Sequence, residues 1–176
     1  MKKPVAGGRL CHHLIPWGKL ALTLIWDPEQ FPLARAILLP GPAQKKAARQ
    51  TVAGDPPPVA AKIRAYLAGE RPDFTLDDLE LRLLAPFELA VTRATFRIPY
   101  GEVLSYGELA RKARHPQAAR AVGQVMANNR FPLVVPCHRV VRSDGHLGGF
   151  GGGLPMKREL LTLEGLTVDR DYFIRR

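Results

Sequence analysis

Residues 104–128, LSYGELARKARHPQAARAVGQVMAN, predict two short helices joined by a tight turn. Ser105 and Glu108 lie three residues apart at the start of the first helix. This is the spacing of a capping box, which satisfies the free N–H groups of a helix end. Pro116 ends that helix because proline cannot continue the hydrogen-bond ladder. Residues 118–128 form the second helix. The pair is typical of a helix-turn-helix, whose second helix usually contacts DNA.

The second helix has an unusual outer face. Arg120 points away from the apolar side of the helix and is surrounded mainly by small residues. Small residues let a helix approach another backbone closely, and a long cation can then reach beyond it. Arg120 is therefore either an ordinary solvated side chain or a contact to a partner. The apolar side comprises Ala118, Ala121, Val122, Val125 and Met126, and the outer face comprises Gly123, Gln124 and Ala127.

The charge balance favours a polyanionic partner. The chain has 176 residues with 26 Lys and Arg against 16 Asp and Glu, so its net charge is +10 at pH 7. An excess of this size suits nucleic acid, which is the first candidate partner. The alternative is a basic surface without a partner.

Several absences indicate the compartment. The first residues, MKKPVAGGRLCHHL, carry the lysines of a signal peptide without the apolar region that should follow them. No stretch approaches the roughly 20 apolar residues of a membrane span. The two cysteines, Cys11 and Cys137, are too far apart in the sequence for a disulfide framework. These features predict a cytoplasmic protein without membrane association.

Cys137 lies in PCHRVV, residues 136–141, directly after the apolar run FPLVV. A single cysteine in such a place is often a small buried hydrophobe. Here Pro136 fixes the backbone, and His138 and Arg139 follow at once. We expect these two basic side chains to raise the local positive potential and to favour the thiolate. The stretch therefore predicts a reactive cysteine.

Glu164 is the second unusual residue. The segment LPMKRELLTLEG, residues 154–165, predicts a helix that begins near Pro155 and stops at Gly165. Glu164 falls in the last turn, where a carboxylate meets the negative end of the helix dipole. It should therefore have a nearby cation or donor, for which His138 is a reasonable candidate. The alternative is a partly exposed surface glutamate.

No motif predicts a cofactor or a metal. The glycine tract of residues 145–153 fits neither of the phosphate-binding glycine patterns. Its other uses are a flexible loop or a wall where backbone approaches a flat ligand. Cys11, His12 and His13 lack the spacing of a structural zinc site.

The first 80 residues carry weaker signals. Residues 20–39 hold two apolar runs around the turn-rich DPEQFP, which predicts a hairpin. Residues 40–59 contain many prolines and small residues and predict a loop or linker. Residues 59–69 have helical spacing and end at Gly69.

The ordered blocks of residues 86–165 resemble the O6-alkylguanine-DNA alkyltransferases, also called methylated-DNA–protein-cysteine methyltransferases. The resemblance implies an α/β N-terminal domain, residues 1–80, that is ribonuclease-H-like. It also implies a mainly α C-terminal domain, residues 81–176, which binds DNA, accepts the alkyl group and contains a winged-helix-like helix-turn-helix. The blocks are IPYGEVLSYGELA, AARAVGQVMANN, VVPCHRVV, GGFGGGL and KRELLTLEG.

The resemblance implies roles for individual residues. Cys137 would accept the alkyl group, His138 would deprotonate it through a bridging water, and Glu164 would orient the imidazole. Tyr106 would hydrogen-bond the flipped guanine and crowd its 3′ phosphate. Asn129 would tie the helix-turn-helix to the active-site strand. The DNA contacts would also include Arg120, which would replace the extruded base in the stack, together with Ala119, Ala121, Gly123 and Ser143.

The remaining implied residues form the base pocket. The carbonyls of Cys137 and Val140 would read the exocyclic amine of guanine. The Gly151 backbone would donate toward the alkylated oxygen, and Met126 and Phe150 would line the pocket. Gly151 stands where some members of the family carry serine, so no hydroxyl contributes at this position.

The implied function is direct-reversal DNA repair. The alkyl group of O6-alkylguanine would move irreversibly to Cys137 in a single turnover, with O4-alkylthymine as a second candidate substrate. The partner would be double-stranded DNA, bound through its minor groove by a monomer. One alternative is a DNA-binding lesion sensor or regulator, which leaves His138 and Glu164 unexplained. Another is a Cys–His hydrolase, which leaves the helix-turn-helix and Arg120 unexplained.

Overall fold

A computed structural model describes residues 10–30 and 32–175. Of the N-terminal segment considered as a signal peptide, residues 1–9 lie outside this part of the chain. The chain forms two compact units, Met1–Glu80 and Leu81–Arg176. Among the described residues no helix is long and apolar enough to cross a membrane. The predicted fold class is confirmed, with an α/β first unit and a mainly α second unit.

The first unit is built on a four-stranded sheet in the order β3-β2-β1-β4. The three longer strands are antiparallel neighbours, and β4 runs parallel to β1. Strand β2, one of the two inner strands, is buried from Leu22 to Trp26, as expected for a strand covered on both faces. The elements are β1 (Cys11–Trp17), β2 (Leu20–Trp26), β3 (Ala34–Leu38), α1 (Pro42–Gln50), β4 (Val52–Ala53) and α2 (Val59–Leu67).

The sequence predictions for the first unit were partly wrong. The hairpin over residues 20–39 is confirmed as the antiparallel pair β2–β3, and the helix beginning at residue 59 is confirmed as α2. The loop predicted over residues 40–59 instead contains α1 and β4. Pro42 occupies the start of α1, where a missing N–H costs nothing. The other prolines lie outside the helix, so they delimit it and do not break it.

The second unit contains the predicted helix-turn-helix. Ser105 Oγ accepts the Glu108 N–H at 3.2 Å, and Glu108 Oε2 accepts the Ser105 N–H at 2.7 Å, so the capping box is present. Strand β5 immediately precedes the first helix and pairs with β6 in parallel. The elements are α3 (Pro86–Phe96), β5 (Leu104–Ser105), α4 (Tyr106–Lys112), α5 (Ala119–Ala127), β6 (Val140–Val141), α6 (Gly153–Leu163), β7 (Thr167–Val168) and β8 (Ile174–Arg175).

Helix α5 presents the expected outer face with one difference. Val122 and Met126 are buried, and Arg120 is exposed. Ala121 was placed on the apolar side, but it is exposed. The first turn of α5 is therefore more exposed to solvent than the apolar pattern predicted, because the buried face of the helix starts at Val122.

Helix α6 runs from Gly153 to Leu163, with Glu164 as its last half-helical residue. Gly165 follows with φ +88°, a left-handed conformation that ends many helices and favours glycine. Met156 and Leu160 pack inward from this helix. The helix thereby holds Glu164 at the end of a buried face, and its carboxylate is turned into the unit.

Candidate active site

Cys137 lies in a single 3₁₀ turn, Cys137–Arg139, between a tight loop and β6. Its backbone N–H donates to the Val135 carbonyl at 2.8 Å. Cys137 belongs to the core cluster that Tyr106 and Phe150 pack against, and 7% of its surface remains accessible. Cys137 is thus a buried member of the core of the second unit.

Asn129 connects the end of α5 to the loop before Cys137. Its side-chain N–H donates to the Val135 carbonyl at 2.9 Å, and its Oδ1 accepts the Phe131 N–H at 3.0 Å. The same side chain acts to lower the pKa of the Cys137 thiol. One amide therefore links the helix-turn-helix to the backbone that carries the thiol.

Glu164 accepts hydrogen bonds from three residues. His138 Nε2 lies 2.9 Å from its Oε1. Arg139 binds it with both Nε, at 2.9 Å to Oε2, and Nη2, at 2.8 Å to Oε1. The Gly101 N–H donates to Oε2 at 3.2 Å. The structure thus brings His138 and Glu164 together, and it adds Arg139 as the cation that balances the carboxylate.

This arrangement determines the protonation states. Burial acts to raise the pKa of Glu164, but hydrogen bonds from His138 and Arg139 outweigh it and lower the pKa to about 2. Burial lowers the pKa of His138, and the bond to Glu164 offsets this only in part. At neutral pH the pair is therefore a carboxylate and a neutral imidazole. Since a carboxylate can only accept, the imidazole proton lies on Nε2 and Nδ1 keeps its lone pair.

The resting thiol does not match the sequence expectation. Burial raises the pKa of Cys137, although the Asn129 hydrogen bond and the charge of Lys157 act to lower it. We expected His138 and Arg139 to favour the thiolate. They do not, because His138 is neutral and the guanidinium of Arg139 is paired with Glu164. The cysteine is therefore a neutral thiol that needs a base.

Lys157 is a charged residue of this site that the sequence analysis missed. It is completely buried, and its Nζ donates to the carbonyls of Val140, at 2.6 Å, and Leu147. Burial lowers its pKa to about 8. The signal was present, because Lys157, Leu160, Leu161 and Glu164 follow the i, i+3, i+4, i+7 spacing of one buried helix face.

The Val140 carbonyl is therefore already engaged. It accepts from Lys157 Nζ, and the Cys137 carbonyl accepts from the Val140 N–H. Each oxygen has a second lone pair. Each of the two carbonyls can therefore accept a hydrogen bond from a bound nucleobase only through its remaining lone pair.

The glycine tract approaches Tyr106 closely. Gly148 has φ +69°, and a Cβ built on it would lie 3.2 Å from the Tyr106 hydroxyl oxygen. Burial raises the pKa of Tyr106, so the hydroxyl stays protonated at neutral pH. Phe150 and Met126 belong to the same cluster as Tyr106 and Cys137. The Tyr106 hydroxyl thus lies next to the glycine tract, and the Tyr106 side chain packs in the same cluster as Cys137.

The remaining predicted residues lie at the surface of the second unit. Arg120 and Ala121 on α5 are exposed, Ala119 is half-buried, and Gly123 faces the Tyr106 ring at 3.9 Å from its built Cβ. Ser143 and Gly151 are exposed. Ser143 also lines a cavity of about 260 Å³ together with Ser105, Arg111 and Arg142.

The residues considered for metal binding are engaged otherwise. His12 Nδ1 lies 2.8 Å from the Thr51 hydroxyl, and His13 Nε2 accepts from Arg64. Cys11 is buried in the sheet. Within residues 10–30 and 32–175, no three His, Cys, Asp or Glu side chains are grouped so that they could hold a metal.

Comparison with known proteins identifies relatives. Residues 86–166 match the family model of the 6-O-methylguanine DNA methyltransferase, DNA binding domain. The chain is 49% identical over 104 residues to the methylated-DNA–protein-cysteine methyltransferase of Mycolicibacterium paratuberculosis, covering 58% of this chain and 61% of the relative. It is 39% identical over 118 residues to the protein of the same name from Methanothermobacter thermautotrophicus, covering 64% and 66%.

Solved structures extend the similarity to both units. The crystal structure of Mycobacterium tuberculosis O6-methylguanine methyltransferase superposes with a TM-score of 0.73 at 34% identity, covering 88% of this chain and 92% of that one. Mycobacterium tuberculosis OGT in complex with DNA gives 0.74 at 34% identity, covering 88% and 93%. The curated alignments span less than two thirds of each relative's length, whereas the superpositions extend over most of both chains.

Proposed function

Because this chain belongs to the 6-O-methylguanine DNA methyltransferase family, we propose that it repairs O6-alkylguanine in DNA by direct reversal. The alkyl group moves to Cys137, and the protein acts once. The observation that carries this proposal is the buried set of Cys137, His138 and Glu164, in which a neutral thiol lies beside an imidazole of defined tautomer. O4-alkylthymine is a second candidate substrate.

The first step is removal of the thiol proton. Glu164 holds the Nε2 proton of His138, so Nδ1 is the basic nitrogen. It takes the proton of Cys137 through a bridging water, and the imidazolium formed is stabilised by the carboxylate. A base is required because burial raises the pKa of the thiol. Lys157 adds positive charge where the thiolate forms.

The second step is displacement at the alkyl carbon. The thiolate sulfur forms a bond to this carbon while the carbon–O6 bond breaks and its electron pair stays on O6. Tyr106 donates a hydrogen bond to the departing oxygen, for which its raised pKa keeps the proton available. The guanine anion that leaves takes up one proton, and the imidazolium of His138 releases the proton that came from Cys137, so the charges balance. The thioether has no hydrolytic exit, so each molecule reacts once.

The base must leave the duplex before it can react, at a cost of a few kcal/mol. Arg120 is exposed on the outer face of α5 and suits the role of the side chain that fills the vacated space. The DNA is double-stranded and is bound through its minor groove, with Ala119, Ala121 and Gly123 allowing close approach. Ser143 and Tyr106 contact phosphates. Met126, Val140, Phe150 and Gly151 line the base pocket, and Asn129 positions the loop.

The proposal assigns DNA binding and alkyl transfer to residues 81–176. Residues 1–80 form a ribonuclease-H-like domain of the same protein. The protein works as a monomer in the cytoplasm, and its chemistry uses no cofactor because nucleophile, base and proton donor are all its own side chains.

The test uses duplex DNA that contains a single O6-methylguanine. Intact mass is expected to rise by one methylene, on the peptide that contains Cys137, with a plateau at one equivalent of DNA. Cys137→Ser should bind the duplex and gain no mass, while Cys11→Ala, the control at the other cysteine, should react like the wild type. Binding without any mass gain in the wild type would contradict alkyl transfer and favour a lesion sensor. Continued turnover of an ester or amide would favour a hydrolase.

A further inference from the structure

The glycine tract contains a side-chain turn that the proposed mechanism does not use. The Gly148 N–H donates to His146 Nδ1 at 3.0 Å, two residues back along the chain. Asn and Asp usually make this turn with a side-chain oxygen. In this chain Asp144 and Asp169 make it too, with the N–H groups of His146 and Asp171. At residue 146 an imidazole nitrogen takes the place of the carboxylate oxygen.

The imidazole of His146 is itself held in place. Its ring meets the Phe173 ring edge to face, with centroids 5.1 Å apart and an interplanar angle of 74°. The His146 carbonyl accepts the Arg142 N–H at 2.9 Å, and its N–H donates to Asp144 at 3.1 Å. Backbone and ring are both fixed, so the direction of the Nδ1 lone pair is fixed as well.

The turn determines where Gly148 lies against Tyr106. With φ +69°, Gly148 adopts a conformation in which a built Cβ would be 3.2 Å from the Tyr106 hydroxyl oxygen and 3.5 Å from its ring. The flanking Leu147 is tied by its N–H to the Tyr172 carbonyl at 2.9 Å, and its carbonyl accepts from Lys157. Through its hydrogen bond to the Gly148 N–H, His146 thus orients the Leu147–Gly148 peptide next to the Tyr106 hydroxyl.

We propose that His146 is a positioning residue for alkyl transfer. By accepting the Gly148 N–H, it fixes the backbone wall against which the Tyr106 hydroxyl rests. The Tyr106 hydroxyl is then already oriented to donate a hydrogen bond to the departing oxygen. The inference rests on the proposed function, since it assigns His146 a part in the donor geometry of that reaction.

Two substitutions separate the acceptor from the ring. His146→Phe keeps an aromatic ring for Phe173 and removes the acceptor. His146→Asn removes the ring and supplies an oxygen suited to the same turn. The matched control is His115→Phe, because His115 makes an equivalent edge-to-face contact with Phe87, at 5.0 Å and 75°.

The measurement is single-turnover methyl transfer from O6-methylguanine duplex at saturating DNA, with duplex affinity and thermal unfolding measured in parallel. Loss of one neutral hydrogen bond predicts that His146→Phe slows transfer about fivefold at unchanged affinity. His146→Asn and His115→Phe should stay within about twofold of the wild type. In a Tyr106→Phe background the effect of His146→Phe should largely disappear, because the hydroxyl that it positions is absent.

The outcomes separate this inference from the proposed function. If the wild type transfers methyl and His146→Phe does so equally fast, His146 has no positioning role and the proposed function stands. Equal slowing by His146→Asn and His146→Phe would assign the effect to the ring and overturn the inference. Full additivity with Tyr106→Phe would also overturn it. No transfer by the wild type would contradict the proposed function itself.

Discussion

Replacing Glu164 by glutamine tests the hydrogen-bonded set directly. The carboxylate accepts from His138, Arg139 and Gly101, and every one of these partners is a donor. A glutamine amide presents an N–H₂ group on one side, which cannot accept. At least one buried donor then loses its partner, and the guanidinium of Arg139 loses its counter-charge.

The size of the stability effect follows from the pKa of Glu164. Burial opposes ionisation, yet the hydrogen bonds from His138 and Arg139 lower the pKa from 4.5 to about 2. At about 1.4 kcal/mol per pH unit, the ionised group contributes about 3 kcal/mol to the free energy of unfolding. Because the pKa is lower in the folded protein, this contribution is complete above pH 4.5 and is lost as the pH falls toward 2. Glu164→Gln should therefore lose about 3 kcal/mol at neutral pH, with a smaller difference in acid.

The rate effect follows from the imidazole tautomer. The amide of glutamine can donate to Nε2, which would move the imidazole proton to Nδ1 and remove the base. General-base catalysis typically contributes about 10²- to 10⁴-fold, so transfer should slow by about 100-fold or more. Urea unfolding measures the stability, and single-turnover transfer of methyl to Cys137 measures the rate. Glu159→Gln is the control, because Glu159 is an exposed glutamate on the same helix. Transfer by Glu164→Gln at the wild-type rate would refute the assignment of the tautomer.

Three further substitutions probe other parts of the second unit. Arg120→Ala should slow repair of duplex DNA about tenfold or more, since no side chain then offsets the free-energy cost of base flipping. Its reaction with free O6-benzylguanine should be unchanged. Equal losses of rate on both substrates would exclude the stacking role. Lys157→Met removes a buried charge that acts to lower the pKa of Cys137. The pH at which iodoacetamide alkylation of the thiol is half-maximal should therefore rise. An unchanged dependence of the alkylation rate on pH would exclude an electrostatic effect of Lys157. Gly148→Ala should lower the unfolding free energy by about 1–2 kcal/mol because of its left-handed φ, and transfer should slow with it. Gly149→Ala, with open space at its built Cβ, serves as the comparison, and equal effects of the two would contradict the wall assigned to Gly148.

Local signals in the sequence predicted the second unit better than the first. The capping box of Ser105 and Glu108 and the break at Pro116 are interactions between near neighbours, so they are visible without the fold. Strand β1 was not predicted, since its histidines and Pro16 obscure the alternation. Its pairing with β2 and β4 comes from residues far along the chain. Helix α1 was missed because prolines that flank a helix resemble prolines that break one.

For the candidate site as well, the sequence indicated some features and only the tertiary structure determined the others. The residue types alone single out Cys137, His138 and Glu164, because a cysteine between proline and histidine and a carboxylate at a helix end are unusual in their local setting. Their protonation states came only from the tertiary structure. Burial depends on what every other segment places around a group. Burial keeps the thiol and the imidazole neutral. The fold also pairs Arg139 with Glu164 and directs Lys157 toward backbone carbonyls. The sequence therefore indicated the groups that we propose to react, and packing determined which of them carries the proton.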